Sequence, residues 1–121
     1  MTNLLLWNGN EFTAVEIGEG IDDYYKYLEC STFDIATRKV GGKYFDIFCD
    51  DEGLFKENPK ITAMSPTGRV MLVGNLIFAN HDAEGNTTSL TKEDVERIMK
   101  NKFAVYDMSD GTMFDVVMCD W

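Results

Sequence analysis

The sequence lacks most of the motifs from which enzymes build recognisable sites. His81 is its single histidine, so the multi-histidine sites that hold zinc or iron are not expected. The phosphate-cradling GxxxxGK loop, the dinucleotide fingerprint GxGxxG and the nucleophile elbow GxSxG are all missing. Classical nucleotide hydrolysis, dinucleotide binding and serine hydrolysis therefore have no support. We predict that the chain is not an enzyme and needs no cofactor.

Cysteine and long apolar runs are also scarce. Cys30, Cys49 and Cys119 are widely spaced and include no CxxC pair, so neither a zinc site nor a dithiol redox motif is indicated. Each lies among apolar residues, which favours buried, unreactive thiols in a reducing compartment. No apolar stretch is long enough to cross a membrane, and no basic residue precedes the apolar run at Leu4, as it would in a signal peptide. We expect a cytoplasmic protein.

Basic residues are about half as numerous as acidic ones. The chain has 11 Lys and Arg against 21 Asp and Glu, a net charge of -10. From Glu11 to Asp34 there are seven acids against Lys26, from Asp46 to Glu57 five against Lys56, and from Asp107 to Asp120 four with no base. Such a surface repels free nucleic acid and anionic membranes, and it attracts basic proteins. The simpler alternative is that the charge only provides solubility.

The residues that are present suffice for one folded domain spanning residues 1–121. The chain has 121 residues and is 45% hydrophobic, enough to bury one core without disulfides or metals. Three turn signals between apolar runs predict β-hairpins, at Asn8-Gly9, Gly41-Gly42 and Asp110-Gly111. They indicate a sheet built mainly from antiparallel pairs.

Two segments have the apolar spacing of helices. Ile21 to Leu28 carries an amphipathic stripe, and a second helix is expected after Thr91, which can form a capping box with Asp94. The fold class predicted is α+β, with antiparallel hairpins in an antiparallel or mixed sheet and two helices packed on it. The continuous apolar run from Val70 to Ala79 predicts one central strand covered on both faces, with a bulge or close backbone approach at Gly74.

Alternation between Lys43 and Asp50 divides that segment into two faces. Phe45, Ile47 and Cys49 share one face, which is expected to belong to the core. The opposite face mixes rings with carboxylates and is expected to be at least partly exposed; its residues are Tyr44, Asp46, Phe48 and Asp50.

Several stretches together resemble a known family. They are Phe33-Asp34-Ile35 with Arg38, Lys43 to Ile47, Cys49 to Leu54, Pro59 to Ala63, Val73 to Leu76 and Ser89-Leu90-Thr91. They are similar to a family of small domains of unknown function that is common in phages, plasmids and conjugative elements of Gram-positive bacteria. The resemblance covers roughly residues 4–100 and brings no catalytic residues. It implies the context of a mobile-element accessory protein.

Carboxylates supply the first candidate site. Converging oxygens of Asp46, Asp50, Asp51 and Glu52 could bind Mg²⁺ or Ca²⁺, but consecutive acids in a turn usually point apart, and no metal site is predicted. We predict instead that these four acids contact a protein partner. Asp22 and Asp23 join them at the start of the first helix, together with Tyr27, which lies off its apolar stripe.

Bases near Gly41-Gly42 supply the alternative site. Arg38, Lys39 and Lys43 cluster around this turn, and Tyr44 could stack on a nucleobase. These residues would bind a small anionic molecule if the three positive charges converge. His81 lies in a polar loop with no nucleophile placed near it, so it is interpreted as structural.

These observations lead to one functional hypothesis with two alternatives. Carboxylates spaced along a surface can present a DNA-like potential to a basic cleft. The leading hypothesis is therefore a non-enzymatic inhibitor of a host defence nuclease or nucleic-acid-binding complex, acting by protein–protein contact. The first alternative is a protein that sequesters a nucleotide signal. The second is a structural or regulatory interaction module, and a homo-oligomer is compatible with each.

Overall fold

The structure, a computed structural model, describes residues 2–53 and 59–121. The segment 54–58, which includes Lys56 and Glu57 of the second acidic stretch, lies outside the described residues. Within the described part, strands form two sheets and are accompanied by two helices. In chain order the elements are β1 Thr2–Trp7, β2 Phe12–Ile17, α1 Asp22–Leu28, β3 Phe33–Val40, β4 Lys43–Asp50, β5 Ile61–Met64, β6 Val70–Val73, β7 Leu76–His81, β8 Thr87–Thr88, α2 Lys92–Lys100, β9 Lys102–Asp107 and β10 Thr112–Met118.

The first sheet has the strand order β2-β1-β7-β4-β3, with β8 paired to β7. All its pairs are antiparallel, and two of the predicted hairpins lie in it. The turn at Gly41-Gly42 has two residues, with φ of +58° and +89°, values that favour glycine in a tight hairpin. The Asn8-Gly9 connection is longer, because Trp7 pairs with Phe12.

The second sheet has the order β6-β5-β10-β9. It contains the third predicted hairpin, β9–β10, and one parallel pair in which Val117 of β10 lies opposite Ala63 of β5. Antiparallel strands therefore predominate in the described residues, one sheet is mixed, and two helices accompany them. The α+β class is confirmed at this level.

The run from Val70 to Ala79 differs from the prediction. It forms two strands in different sheets rather than one, because the chain leaves the second sheet after Val73 and enters the first at Leu76. Gly74 makes this step with a φ of +75°. The prediction of a strand covered on both faces holds for β7 alone, whose first four residues are buried.

One buried cluster joins residues of both sheets. Trp7, Phe45 and Phe78 of the first sheet meet Val117 of the second and Ile98 of α2, all of them fully buried. The indole Nε1 of Trp7 donates a hydrogen bond to the Thr62 carbonyl oxygen, 3.0 Å away. Phe45, Ile47 and Cys49 belong to this cluster, so the prediction for that face of β4 is confirmed. Val116 and Val117, near the end of β10, are both buried and contribute to the core.

A second buried cluster lies on the opposite face of the first sheet. Tyr24 and Leu28 of α1 are buried there with Phe48 and Ile77, and the rings of Tyr24 and Phe48 stack at 4.3 Å between centroids. The expectation of a partly exposed face on β4 holds for Tyr44 but is wrong for Phe48, which is 3% exposed. The sequence pattern of β4 carried no sign that the rings of α1 would cover it.

Candidate functional site

The acids of α1 have different surroundings. Asp22 is exposed, whereas Asp23 is half-buried and its Oδ2 accepts a hydrogen bond from the backbone N–H of Gly18 at 2.9 Å. Tyr27 is also half-buried and packs against the cluster around Phe48. Asp23 therefore stabilises the connection between β2 and α1, whereas the Asp22 carboxylate, at the start of α1, faces solvent.

Asp46 lies in the middle of the first sheet and has two partners. Its Oδ1 accepts a hydrogen bond from the Thr37 hydroxyl at 2.9 Å, and its Oδ2 lies 3.0 Å from Nδ1 of His81. The three side chains belong to neighbouring strands β3, β4 and β7. His81 is thus the last residue of a strand and not part of a loop as predicted.

Asp50, Asp51 and Glu52 form the third group, at the end of β4. The Asp50 carboxylate accepts a hydrogen bond from the Glu52 backbone N–H at 2.9 Å, which shapes the turn, while Asp51 and Glu52 are exposed. Burial, and then the negative charge of Asp34 on the neighbouring strand, raise the pKa of the Cys49 thiol to about 11. Cys49 and Cys119 are buried, as the sequence indicated, but Cys30 is only half-buried.

The predicted partner-binding acids thus lie at three places in the fold. They are the start of α1, the centre of β4 and the end of β4. Within the described residues, no group of three or more His, Cys, Asp or Glu side chains is arranged to hold a metal ion. Asp23 and Asp46 are bound by polar groups within the fold, whereas Asp22, Asp51 and Glu52 are exposed to solvent.

The alternative site is divided: Arg38 and Tyr44 both contact Trp121 and Lys39 lies near Tyr44, whereas Lys43 is bound to Asp94. Lys43 donates to the buried Asp94 at 2.6 Å, and the guanidinium of Arg38 stacks on the ring of Trp121 with its central carbon 4.2 Å from the centroid. The Tyr44 hydroxyl donates to the Trp121 carbonyl oxygen, and the Lys39 ammonium lies 5.6 Å from the Tyr44 ring.

One of these residues, Lys39, lines an open groove beside the Gly41-Gly42 turn. Its volume is about 380 Å³, and Lys39, Asn101, Phe103 and Asp120 are among the residues that line it. The volume falls in the range of small-molecule sites. The positive charge from Lys39 is offset by the carboxylate of Asp120, so the groove is not strongly cationic.

Asp94 is a buried carboxylate that accepts three hydrogen bonds. It is 3% exposed, and besides its capping box with Thr91 it binds Lys43 and the side-chain amide of Asn80, at 2.7 Å. Burial alone would raise its pKa, but the hydrogen bonds from Lys43, Thr91 and Asn80 outweigh burial and lower the pKa well below the usual range. The capping box was predicted; the bonds to β4 and β7 were not, since they join residues far apart in the sequence.

Basic and acidic side chains are segregated along the chain. Seven of the eleven Lys and Arg residues belong to 38–43 and 92–102, next to the Gly41-Gly42 turn and on or beside α2. Residues 2–37 and 44–53, which form α1 and most of β1–β4, carry eleven acids against one base, Lys26. Arg97 of α2 donates to the Gly41 carbonyl oxygen, so the two basic segments are in contact.

The β9–β10 hairpin exposes apolar side chains that the sequence search did not single out. Tyr106 and Met113 lie opposite each other in the hairpin and are 58% and 66% exposed, and Met108 in the connecting turn is 88% exposed. Exposed apolar groups gathered in one element are typical of contact surfaces. The sequence pattern predicted this hairpin, but it could not predict which of its side chains the other elements would leave exposed.

One comparison with known proteins identifies a family, and that family has no assigned activity. The model of DUF3846, a domain of unknown function, matches residues 1–103. None of the curated proteins and none of the solved structures matches the chain. In the described residues neither helix is long and apolar enough to cross a membrane. The match leaves out β10 and four of the six residues of β9. Because it spans most of the chain, this chain belongs to the DUF3846 family.

Proposed function

We propose that this chain is a non-enzymatic acidic binding protein that acts by protein–protein contact. The observation that carries the proposal is the segregation of charge, with eleven acids against one base over residues 2–37 and 44–53. Exposed carboxylates distributed over such a region, such as Asp22, Asp51 and Glu52, can resemble the spaced phosphates of nucleic acid. A basic cleft that normally binds DNA or RNA has the complementary charge.

The biological setting extends this proposal. The resemblance to domains of phages, plasmids and conjugative elements supplies a reason to occupy such a cleft, namely inhibition of a host defence nuclease or nucleic-acid-binding complex. We place the protein in the cytoplasm, where those complexes act. Free nucleic acid and anionic membranes are not its partners, because like charges repel.

The test is capture of partners from host lysate by the purified protein, washed with rising salt. A variant with Asp51→Asn and Glu52→Gln removes two exposed charges of the acidic region. A matched control with Glu93→Gln and Glu96→Gln removes two exposed charges from α2, beside the bases. If each exposed ion pair contributes roughly 0.5 kcal/mol, the first variant weakens binding by about fivefold and the control leaves it nearly unchanged.

Competition with nucleic acid completes this test. A captured protein that elutes as salt rises, and that duplex or single-stranded nucleic acid displaces, is the expected result. An empty capture from a lysate that contains active defence systems would contradict the proposal for that host. Equal loss of binding in both double variants would show that net charge, and not the acidic region, governs the contact.

A second candidate function rests on the groove beside the Gly41-Gly42 turn. Its volume of about 380 Å³ lies in the range of small-molecule sites, and the ring of Phe103 in its wall is partly exposed. A nucleotide signal would stack on that ring with its phosphate near Lys39. An ultraviolet-absorbing compound released by denaturing the purified protein would support this function, and its loss in Lys39→Ala would locate it.

A further inference from the structure

Strand β9 has an unpaired edge. It pairs with β10 on one side, and no strand of residues 2–53 or 59–121 pairs with its other side. Along this edge strand Phe103 is 46% exposed and Tyr106 58%. A row of unpaired backbone donors and acceptors flanked by exposed rings is a template for another strand.

The other sheet edges are less suited to receive a strand. The exposed side chains of β2 are Thr13, Ala14 and Glu16, which are small or charged. Lys39 of β3 already exchanges two backbone hydrogen bonds with Asp120. β6 has only four residues, and its pairing with β5 is irregular.

We infer that β9 pairs antiparallel with β9 of a second copy of this chain, across a two-fold axis centred on Ala104. Neighbouring antiparallel strands of identical chains are related by an axis normal to the sheet, which keeps each side chain on its own face. Residues on opposite faces cannot then lie across from each other, because side chains alternate with a period of two. Only registers that place one residue opposite itself are allowed.

Two allowed registers pair five residues of β9 with five of the second copy. Centring on Ala104 places Lys102 opposite Tyr106 and Phe103 opposite Val105 of the other copy. Centring on Val105 places Phe103 opposite Asp107 instead. The first register sets a cation against a ring and a ring against a β-branched side chain, both favourable cross-strand pairs. The second buries a carboxylate against a ring, which costs free energy.

The favoured register continues the apolar rows of β10. In this structure Val116 lies opposite Phe103, and Phe114 lies opposite Val105. The second copy therefore extends the row Val116–Phe103 with its own Val105 and Phe114, and the two-fold axis generates the same row again. Two four-residue apolar rows cross the joined sheet, which has eight strands in place of four.

Salt separates this contact from the proposed binding of a basic partner. Each copy has a net charge of -10, so the two copies repel at long range. Added salt screens that repulsion and strengthens self-association, whereas it weakens contact between an acidic surface and a basic one. Either contact can therefore fail while the other remains.

Sedimentation equilibrium of the full chain over a range of concentrations, at low and moderate salt, tests the inference. A concentration-dependent dimer that tightens with salt is expected. Ala104→Glu places two carboxylates opposite each other at the axis and weakens the dimer about tenfold or more. Ala104→Lys, which would face Asp115 within its own hairpin but a second Lys across the axis, should weaken the dimer as well. As a control, Ala14→Glu adds an exposed charge to edge strand β2 and leaves the dimer in place. A monomer at every concentration, or a dimer that Ala104→Glu does not weaken, would overturn the inference.

Cross-linking tests the register. Directly opposed residues of antiparallel strands have Cα atoms about 4.5–5.5 Å apart, within the span of a disulfide. In a Cys30→Ser background, Ala104→Cys is therefore expected to form a covalent dimer under mild oxidation. The Cys30→Ser chain alone, whose remaining Cys49 and Cys119 are buried, is not. Cross-linking by Val105→Cys but not by Ala104→Cys would overturn the register centred on Ala104.

Discussion

The β3–β4 and β9–β10 hairpins begin from similar sequence patterns and reach different environments. Both consist of alternating strands joined by a glycine-containing turn. The β3–β4 hairpin is covered by rings of α1 on one face and by the main core on the other, and its turn is held by Arg97 of α2. The β9–β10 hairpin buries the end of β10 and leaves Tyr106, Met108 and Met113 exposed.

This difference shows that a pattern of alternation specifies a strand without specifying how much of it is covered. The β3–β4 hairpin makes polar contacts with distant elements, and breaking those contacts lowers the stability of the fold. The exposed hairpin is tied mainly to β5 through the parallel pair of β10. Substitutions in the first should therefore change stability, and substitutions in the second should change association.

The largest expected effect comes from Asp94→Asn, which breaks the link between α2 and the β3–β4 hairpin. The variant loses the Lys43 ion pair and the carboxylate that accepts from Thr91 and Asn80. Because Asp94 is buried while Lys43 remains partly exposed, we expect a loss of about 2–4 kcal/mol in the free energy of unfolding. Urea denaturation measures it, with Glu93→Gln on the same helix as a control. A loss below about 1 kcal/mol would contradict the role given to Asp94.

The same carboxylate predicts a dependence of stability on pH. Its folded pKa lies below that of an unfolded aspartate, so its contribution is fully present above the unfolded value of about 3.9. The contribution is lost progressively as pH falls below that value. Wild-type stability should therefore decrease more steeply than that of Asp94→Asn between about pH 5 and pH 2. Parallel pH profiles would argue against a carboxylate with a lowered pKa.

A smaller effect is expected at the turn of the covered hairpin. Gly41 has a φ of +58°, and a Cβ added there would lie 2.8 Å from the Asn101 side-chain nitrogen and 2.9 Å from Cγ of Arg97. Gly42 has a φ of +89° but no atom within 4 Å of an added Cβ. Gly42→Ala should cost about 1 kcal/mol from backbone strain alone, and Gly41→Ala about 1 kcal/mol more. Equal decreases in melting temperature for the two variants would show that a Cβ at Gly41 meets no steric hindrance from Asn101 and Arg97.

The smallest effect on stability is expected in the exposed hairpin. Met113→Ala shortens a side chain that is 66% exposed, so the free energy of unfolding of the isolated monomer should change by less than about 0.5 kcal/mol. Chemical denaturation at low protein concentration, where the chain is monomeric, measures it. A loss above 1 kcal/mol would mean that Met113 packs against the rest of the monomer.

The local features of the fold were predictable, and the contacts between distant segments were not. Glycines at Gly41-Gly42 and the capping box at Thr91 act over a few residues, so the sequence determines them nearly alone. The prediction of one strand across Gly74 was wrong, because a run such as Val70–Ala79 is equally apolar whether it forms one strand or two strands in different sheets. Phe48 was misplaced because its covering ring, Tyr24, lies 24 positions away.

The candidate site follows the same rule. The sequence gives the number of carboxylates and the scarcity of bases in residues 2–37 and 44–53. It could not show that the Asp46 carboxylate is hydrogen-bonded to Thr37 and His81. Nor could it show that Asp23 accepts a hydrogen bond from the Gly18 backbone, or that Lys43 is bound to Asp94. Asp22, Asp51 and Glu52 remain the exposed members of the predicted partner-binding set.

The most direct test of the proposed function is the salt dependence with which a captured host protein binds the wild type and the Asp51→Asn, Glu52→Gln variant. The account predicts a partner with a basic nucleic-acid-binding surface, whose affinity falls as salt rises and falls less steeply for the variant, with displacement by nucleic acid in both cases. A partner that binds with the same affinity at low and high salt, and that nucleic acid does not displace, would contradict it.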